Sequence, residues 1–124
     1  MASLNMGSYY PLNQETIDSV ILPNRPGNYA YGYIKDNGAF GVRYVGRSDT
    51  DLHERISHGI AENAGNPSLK YELFKFSYAN SPREAYEKEC CNYHDFGGEQ
   101  GRLDCKEHPV KPKGEDIKCP ICGK

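Results

Sequence analysis

The 124-residue sequence lacks the features that would place it in several common classes. It has no tryptophan, and no apolar run approaches the roughly 20 residues of a membrane span. Its N-terminus lacks the basic and apolar regions of a secretory signal peptide, so we expect a cytoplasmic protein with no membrane contact. The formal net charge of −2 excludes a global basic field, although a local basic patch remains open. Six residues are candidates for such a patch: Arg43, Arg47, Arg55, Lys70, Lys75 and Arg83.

Apolar residues are also scarce, and the number of cysteines does not suit a set of disulfide bonds. Hydrophobic residues make up 37% of the chain, which indicates one domain with a modest core. Five cysteines are an odd number, and thiols stay reduced in the cytoplasm, so a closed disulfide framework is not expected. Metal binding is the more natural use of clustered cysteine and histidine. Tyrosine is abundant instead, with 10 residues, and its polar tip suits rings that line a groove.

Hydrophobic periodicity and turn residues predict the order of the elements. An apolar stripe after Asn13, a helix-capping residue, predicts a short helix within residues 12–22, and we interpret residues 1–25 as a strap over the domain. Tyrosines at every second position predict a strand over 28–34. After an Asp-Asn-Gly turn, residues 40–46 predict the returning strand of a hairpin, in which Phe40, Val42 and Tyr44 alternate.

The second half of the domain begins with a helix over residues 51–62. Residues 69–78 predict a third strand, and a capping box at Ser81 starts a second helix that ends near Phe96. The chain is therefore predicted to be an α/β protein of the α+β type, with a small three-stranded antiparallel sheet flanked by helices. We place this domain at residues 26–97.

This order can bring together groups that cleave a phosphodiester bond. Such cleavage needs an activated nucleophile, a cation on the developing charge and protonation of the leaving group. Tyrosines on two paired strands can lie side by side on one face. An arginine in the following helix can point back at that face, and a carboxylate on the later helix can hold a divalent metal.

The residues in these places resemble the motifs of the GIY-YIG nuclease family. The triplet Gly27-Asn28-Tyr29 resembles the first motif, with asparagine in place of the usual apolar residue, and Tyr44-Val45-Gly46 matches the second motif. Arg55 resembles the helix arginine, and Glu89 resembles the metal-binding glutamate. The resemblance covers about residues 26–96, over half of the chain.

The resemblance implies a DNA endonuclease that uses one metal ion. Glu89 would hold Mg²⁺ or Mn²⁺ on the leaving side, and no small-molecule cofactor is expected. Tyr29 would help to activate water, and Arg55 would steady the phosphate. Tyr44 would orient the phosphate or relay a proton. DNA is the expected partner.

Three spacings depart from the family pattern, and one of them is an extra residue between Gly46 and Arg55. The interval from Tyr29 to Tyr44 is longer than usual, and Tyr33, which follows Gly32, gives a more usual interval. Both tyrosines therefore remain candidates for the first-motif residue. His58 lies three residues after Arg55, whereas a family histidine often lies four after, and it remains a candidate general base.

The last part of the chain, residues 98–124, has little periodicity and is predicted to be a zinc-binding tail packed on the same domain. The sequence Cys119-Pro-Ile-Cys122-Gly resembles a zinc knuckle, in which two thiolates face one ion. Cys90 and His94 are four apart on the predicted second helix, hence on one face, and complete a structural site of four ligands. Cys105 and His108 form an alternative pair, with His108 the main competitor for one place.

Two other functions fit the same residues. One is a non-catalytic nucleic-acid-binding module with the same fold and a structural zinc. The other is a small zinc-stabilised domain that binds proteins. Cleavage of plasmid DNA separates the endonuclease from both, and salt-dependent retention on DNA separates the two binding modules.

Overall fold

The computed structural model describes residues 6–7, 9–38, 40–64, 71–96, 109–110 and 117–121. Within these residues the chain has an α+β fold with a four-stranded antiparallel sheet and three helices. The elements in chain order are β1 (Tyr10–Pro11), α1 (Gln14–Val20), β2 (Gly27–Ile34), β3 (Phe40–Ser48), α2 (Leu52–Ala64), β4 (Leu73–Tyr78) and α3 (Pro82–Asp95). The strand order across the sheet is β1-β4-β2-β3. Across the part of the chain that the structure describes, no helix is long and apolar enough to cross a membrane.

Local signals account for the starts of the helices. The Asn13 side chain accepts a hydrogen bond from the backbone N–H of Thr16 at 2.8 Å and caps α1. Asp51 accepts from the N–H of Glu54 at 3.2 Å at the start of α2. The Ser81 hydroxyl accepts from the N–H of Glu84 at 3.2 Å at the start of α3. Each cap satisfies a backbone donor that the first helical turn leaves without a partner, and the predicted helices are confirmed.

The prediction of three strands was wrong by one. Tyr10 and Pro11 pair with Phe74 and Leu73, so the two-residue strand β1 extends the sheet beyond β4. A pair of residues is too short to show the alternation by which a strand is recognised in a sequence, and proline argues against a strand. Pro11 is tolerated because β1 is an edge strand, where its missing N–H removes no ladder bond.

The predicted face of the returning strand was also wrong in part. Tyr44 lies opposite Tyr31, but the next pair is Gly32 with Val42, so Arg43 is an extra residue in β3. Such a bulge reverses the alternation beyond it. Val42 and Phe40 therefore pack with the cluster on the α3 side of the sheet, whereas Tyr44 packs on the α2 side.

The sheet separates two apolar layers. Helices α1 and α2 contact each other and α2 covers one face, while α3 packs on the other face against β3 and β2. The core under α1 and α2 consists of Ile17, Ile21, Tyr29, Tyr31, Leu52, Ile56, Tyr71 and Phe74. The α3 side holds a smaller cluster of Met6, Ala30, Val45 and Tyr93. Segment 9–22, which lies in the predicted strap, thus supplies an edge strand, a helix and two core side chains.

Candidate active site

A cluster of four tyrosine rings lies under α2. Alternation on β2 puts Tyr29 and Tyr31 on one face, with ring centroids 5.0 Å apart. The register of the hairpin adds Tyr44, whose ring is stacked 6.3 Å from Tyr29 and lies 5.7 Å from Tyr31. Tyr71 completes the cluster at 5.2 Å from Tyr31. Two of the tyrosines that the sequence singled out, Tyr29 and Tyr44, are therefore neighbours.

Glycine makes this close packing possible at two positions. Gly46 lies opposite Tyr29 on β3, and a Cβ atom at this position would lie 2.5 Å from the Cζ and hydroxyl atoms of Tyr29. Gly59 lies in α2, and a Cβ atom there would meet the Tyr31 hydroxyl and lie 2.9 Å from its Cζ atom. Glycine is therefore required at the last position of the Tyr-Val-Gly triplet, because the Tyr29 ring packs directly against this residue and leaves no space for a side chain.

Arg55 connects this cluster to the surface. Its guanidinium donates a hydrogen bond to the Tyr29 hydroxyl. Burial lowers the pKa of Arg55, but the neighbouring Tyr29 and Tyr44 hydroxyls raise it more, so the net shift is upward and the guanidinium stays charged. Charged hydrogen bonds of this kind hold a planar guanidinium in one orientation.

Tyr29 itself is a neutral phenol at physiological pH. The ring is only 1% exposed, and burial raises its pKa well above the usual value of 10.0. The nearby hydroxyls of Tyr31 and Tyr44 raise the pKa further, against the opposing effect of Arg55. A buried phenol with such a pKa can accept the hydrogen bond of Arg55, but it does not ionise to act as a base.

An open groove of about 660 Å³ runs along the N-terminal half of α2. Arg55 and His58 line it, so two of the predicted catalytic residues share one surface. The other lining residues are short polar or acidic side chains: Ser48, Thr50, Asp51, Glu54 and Ser57. Arg55 therefore has its guanidinium bonded to a buried tyrosine on one side and a solvent groove on the other.

Glu89 lies on the opposite side of the sheet, where it binds Arg47. Nη1 of Arg47 contacts Oε1 of Glu89 at 2.5 Å, and Nε contacts Oδ1 of Asp49 at 2.8 Å. Nη2 donates to the backbone carbonyl of Val110, and the guanidinium lies over the Tyr86 ring at 5.2 Å. The Arg47 and Glu89 side chains are only 12% and 15% exposed. One cation therefore holds together β3, α3 and residue 110.

The carboxylates around Arg47 have the ligand type that Mg²⁺ prefers. Asp49 and Glu89 converge on one guanidinium, so two sets of carboxylate oxygens lie near one point, and the three charged groups sum to one negative charge. The two carboxylates fit a divalent ion in ligand type, but both are paired with Arg47, and within the described residues no third His, Cys, Asp or Glu side chain joins them. Arg47 is the group that such an ion would displace. Glu89 is the last and smallest of the influences that raise the pKa of Tyr29, and it lies across the sheet from the tyrosine cluster.

The structure thus brings Tyr29, Tyr44 and Arg55 into contact or near contact, with His58 on the same groove. Tyr33, the alternative first-motif residue, is 36% exposed and lies opposite Gly41, at the other end of β2 from Tyr29.

The sequence reasoning named Arg47 only as one of six basic residues and missed its ion pairs. A signal was present, because residues two apart along an extended chain, such as Arg47 and Asp49, share a face. The partner Glu89 lies 42 positions away, and no local pattern joins it to Arg47.

Two of the predicted zinc ligands meet near α3. The side chains of Cys90 and Cys119 are both buried and in hydrogen-bonding contact, and they pack with Tyr86 and Ile117. His94 packs edge-on against the Tyr93 ring at 5.4 Å. Within the residues described, no three His, Cys, Asp or Glu side chains gather as a ligand group. Cys105, His108 and Cys122 lie outside the described residues.

Comparisons with protein-family models, with curated proteins and with solved structures found no match for this chain. The family resemblance therefore rests on the motifs of the sequence alone.

Proposed function

We propose that the chain is a metal-dependent endonuclease that hydrolyses DNA phosphodiester bonds. The observation that carries this proposal is the position of Arg55, which is oriented by the buried Tyr29 hydroxyl and lines an open polar groove. A fixed, charged guanidinium on a groove is suited to a phosphate whose negative charge grows in the transition state.

Each residue has a distinct part in this proposal. Arg55 binds the phosphate, and neutral Tyr29 holds Arg55 in place instead of removing a proton from water. Tyr44, which stacks on Tyr29 and is less buried, orients the phosphate or relays a proton. Glu89 and Asp49 are the residues that would hold Mg²⁺ or Mn²⁺, and Arg47 would then turn from the carboxylates toward the DNA backbone. A divalent ion there would stabilise negative charge on the leaving oxygen.

The Arg47–Glu89 contact also supports a second candidate, a nucleic-acid-binding module without turnover. In a module without turnover, no metal ion displaces Arg47 from its ion pair with Glu89 at 2.5 Å. Arg47 is then a structural cation in the place that a metal would occupy. The groove and Arg55 would still bind a phosphate. The difference between the two candidates is therefore whether a divalent ion displaces Arg47.

Supercoiled plasmid incubated with the purified protein and Mg²⁺ or Mn²⁺ tests the first candidate. We expect nicked or linear DNA with either ion and none after addition of a chelator. Retention on a DNA column is measured in parallel over a range of salt concentrations. Retention that falls with salt, without cleavage under any ion, would favour the binding module. Loss of both properties would leave neither candidate.

A further inference from the structure

The thiol groups of Cys90 and Cys119 meet although they come from distant parts of the sequence. Cys90 is on the inner side of α3, and Cys119 belongs to the described tail segment 117–121. Both residues are almost fully buried, at 0% and 3% exposure. The pair is thus a specific contact between the tail and the domain, in a place shielded from solvent.

The surroundings suit a closed site. Tyr86 on α3 and Ile117 in the tail pack around the two sulfur atoms, and the Tyr86 hydroxyl bonds to Cys90. Cys91, the next residue on α3, lies outside this cluster and is partly exposed. Residues 120–121 form a turn directly after Cys119, as a knuckle that presents two cysteines to one ion requires. The sequence places Cys122 immediately after this turn.

We propose that Cys90 and Cys119 are two ligands of a structural zinc ion. The knuckle spacing of the sequence makes Cys122 the candidate for a further ligand. The ion fastens the tail to α3, the helix that carries Glu89. His94 remains the sequence-based choice for the fourth ligand, with His108 as the alternative. Zinc is favoured because clustered thiolates suit its tetrahedral coordination, and because a site made of protein ligands alone has no open position for water.

The zinc site has a consequence for the charged cluster at Arg47. The tail also contributes the Val110 carbonyl, which accepts a hydrogen bond from Nη2 of Arg47. Residues 110 and 119 belong to the same tail, so we expect an ion that fastens residue 119 to α3 to favour the contact of Val110 with Arg47 as well. Metal binding of this kind is itself a source of folding free energy for a segment with little core of its own. The proposal does not depend on nuclease activity.

The test is the zinc content of the full chain, expressed with added zinc and purified without chelator. We expect about one zinc per chain, and about one Co²⁺ after exchange, with the intense near-ultraviolet absorption of a thiolate-bound cobalt ion. Cys119→Ser should bind zinc at least about 10-fold more weakly, because the loss of one ligand opens the site. Cys90→Ser should do the same. Cys91→Ser is the matched control on the same helix and should keep the metal.

Cys119→Ser keeps the experiment decisive if Cys90→Ser fails to fold, because Cys119 belongs to the tail and not to the sheet or its helices. A metal-free wild-type chain would overturn the proposal. So would full zinc content in Cys119→Ser, or a disulfide between Cys90 and Cys119 in place of the metal. Because plasmid cleavage is not the readout, failure of the proposed nuclease function would leave this result untouched.

Discussion

At the scale of single residues, the two sides of the sheet hold two different arginine arrangements. Arg55 has a phenol as its buried partner and reaches a groove, whereas Arg47 is held by two carboxylates and a backbone carbonyl. Arg47 is paired with two carboxylates and its side chain is only 12% exposed, whereas Arg55 lines an open groove. Arg55 is therefore the arginine that an incoming phosphate reaches first.

Arg55→Ala should therefore reduce plasmid cleavage by about 100- to 1000-fold, as the removal of one transition-state donor does. The fold should persist, because the Arg55 side chain lies at the edge of the core. Arg55→Lys should restore little activity, since lysine lacks the planar fork. Initial cleavage rates and far-ultraviolet circular dichroism measure the two effects.

The control is Arg83→Ala, at an arginine on α3 whose side chain is 62% exposed and pairs with Glu87 at 3.8 Å. It should cleave at the wild-type rate. Normal cleavage by Arg55→Ala would contradict the assignment of the phosphate-binding residue.

Glu89→Gln tests the proposed metal ligand. Glutamine keeps the size and one oxygen acceptor but loses the charge that a divalent ion and Arg47 both require. We expect cleavage to fall by about 100-fold or more, with DNA retention kept. The free energy of unfolding should fall by about 1–2 kcal/mol, the difference between a charged and a neutral hydrogen bond in a largely buried pair.

Glu87→Gln is the matched control, because Glu87 lies two residues earlier on another face of α3 and is 40% exposed. It should cleave normally, as judged by the same plasmid assay with a titration of Mg²⁺. Wild-type rates in both variants would remove Glu89 from the mechanism. A defect in Glu87→Gln alone would mean that the wrong helix face had been chosen.

At the scale of elements, close contacts set the position of α2 over the hairpin. The helix meets β2 at Gly59, where it has no side chain and the Tyr31 ring takes the space. The main core residues of α2, Leu52 and Ile56, lie about two turns and one turn earlier, respectively, on the same side. The tyrosine cluster therefore determines the position of the helix that carries Arg55 and also orients the Arg55 guanidinium.

Gly59→Ala should destabilise the protein although alanine is the better helix former by about 1 kcal/mol. The added methyl group would meet the Tyr31 hydroxyl, and overpacking of this kind costs about 1–3 kcal/mol. Removal of that hydroxyl by Tyr31→Phe should relieve part of the clash. The cost of Gly59→Ala should then be smaller in the Tyr31→Phe variant than in the wild type, with a coupling of about 0.5 kcal/mol or more. Urea unfolding of the wild type, the two single variants and the double variant measures it, and additive effects would contradict this packing.

At the scale of the whole molecule, the buried tyrosines make stability depend on alkaline pH. Burial and the neighbouring hydroxyls raise the pKa of Tyr29 far above 10.0, whereas in the unfolded chain the phenol ionises near that value. Below pH 10 both states keep the proton, and the contribution to stability is fully present. Above pH 10 the unfolded chain releases a proton that the folded chain retains, so the free energy of unfolding falls as the pH rises.

Tyr29→Phe should remove this part of the pH dependence. Its free energy of unfolding should fall by about 1 kcal/mol less than that of the wild type between pH 10 and 11, and the difference in slope should approach about 1.4 kcal/mol per pH unit at higher pH. Chemical denaturation at several pH values measures the slope. Tyr9→Phe, at a ring that is 45% exposed, is the control and should keep the wild-type slope. Equal slopes in all three proteins would mean that Tyr29 reaches solvent in the folded state.

Most of the fold could be predicted because its signals are local. Asn13 and Ser81 cap their helices through side chains three residues from the bonded N–H, and the alternating tyrosines of β2 follow from the period of a strand. Strand β1 and the bulge at Arg43 escaped prediction because each depends on a partner strand. A two-residue strand has no period of its own, and an extra residue in β3 is defined only against β2.

The candidate site divides in the same way. By itself the sequence determined which residue types are present and in what order: tyrosines on a hairpin, Arg55 on the next helix, and Glu89 with Cys90 on the last. Only the tertiary structure decided that the Tyr29 ring is buried against Gly46 and bonded to Arg55, that Arg47 pairs with Glu89, and that Cys90 contacts Cys119. The physical reason is that spacing fixes which side chains share a strand or helix face, whereas burial, charge pairing and contacts between distant segments arise when the faces pack.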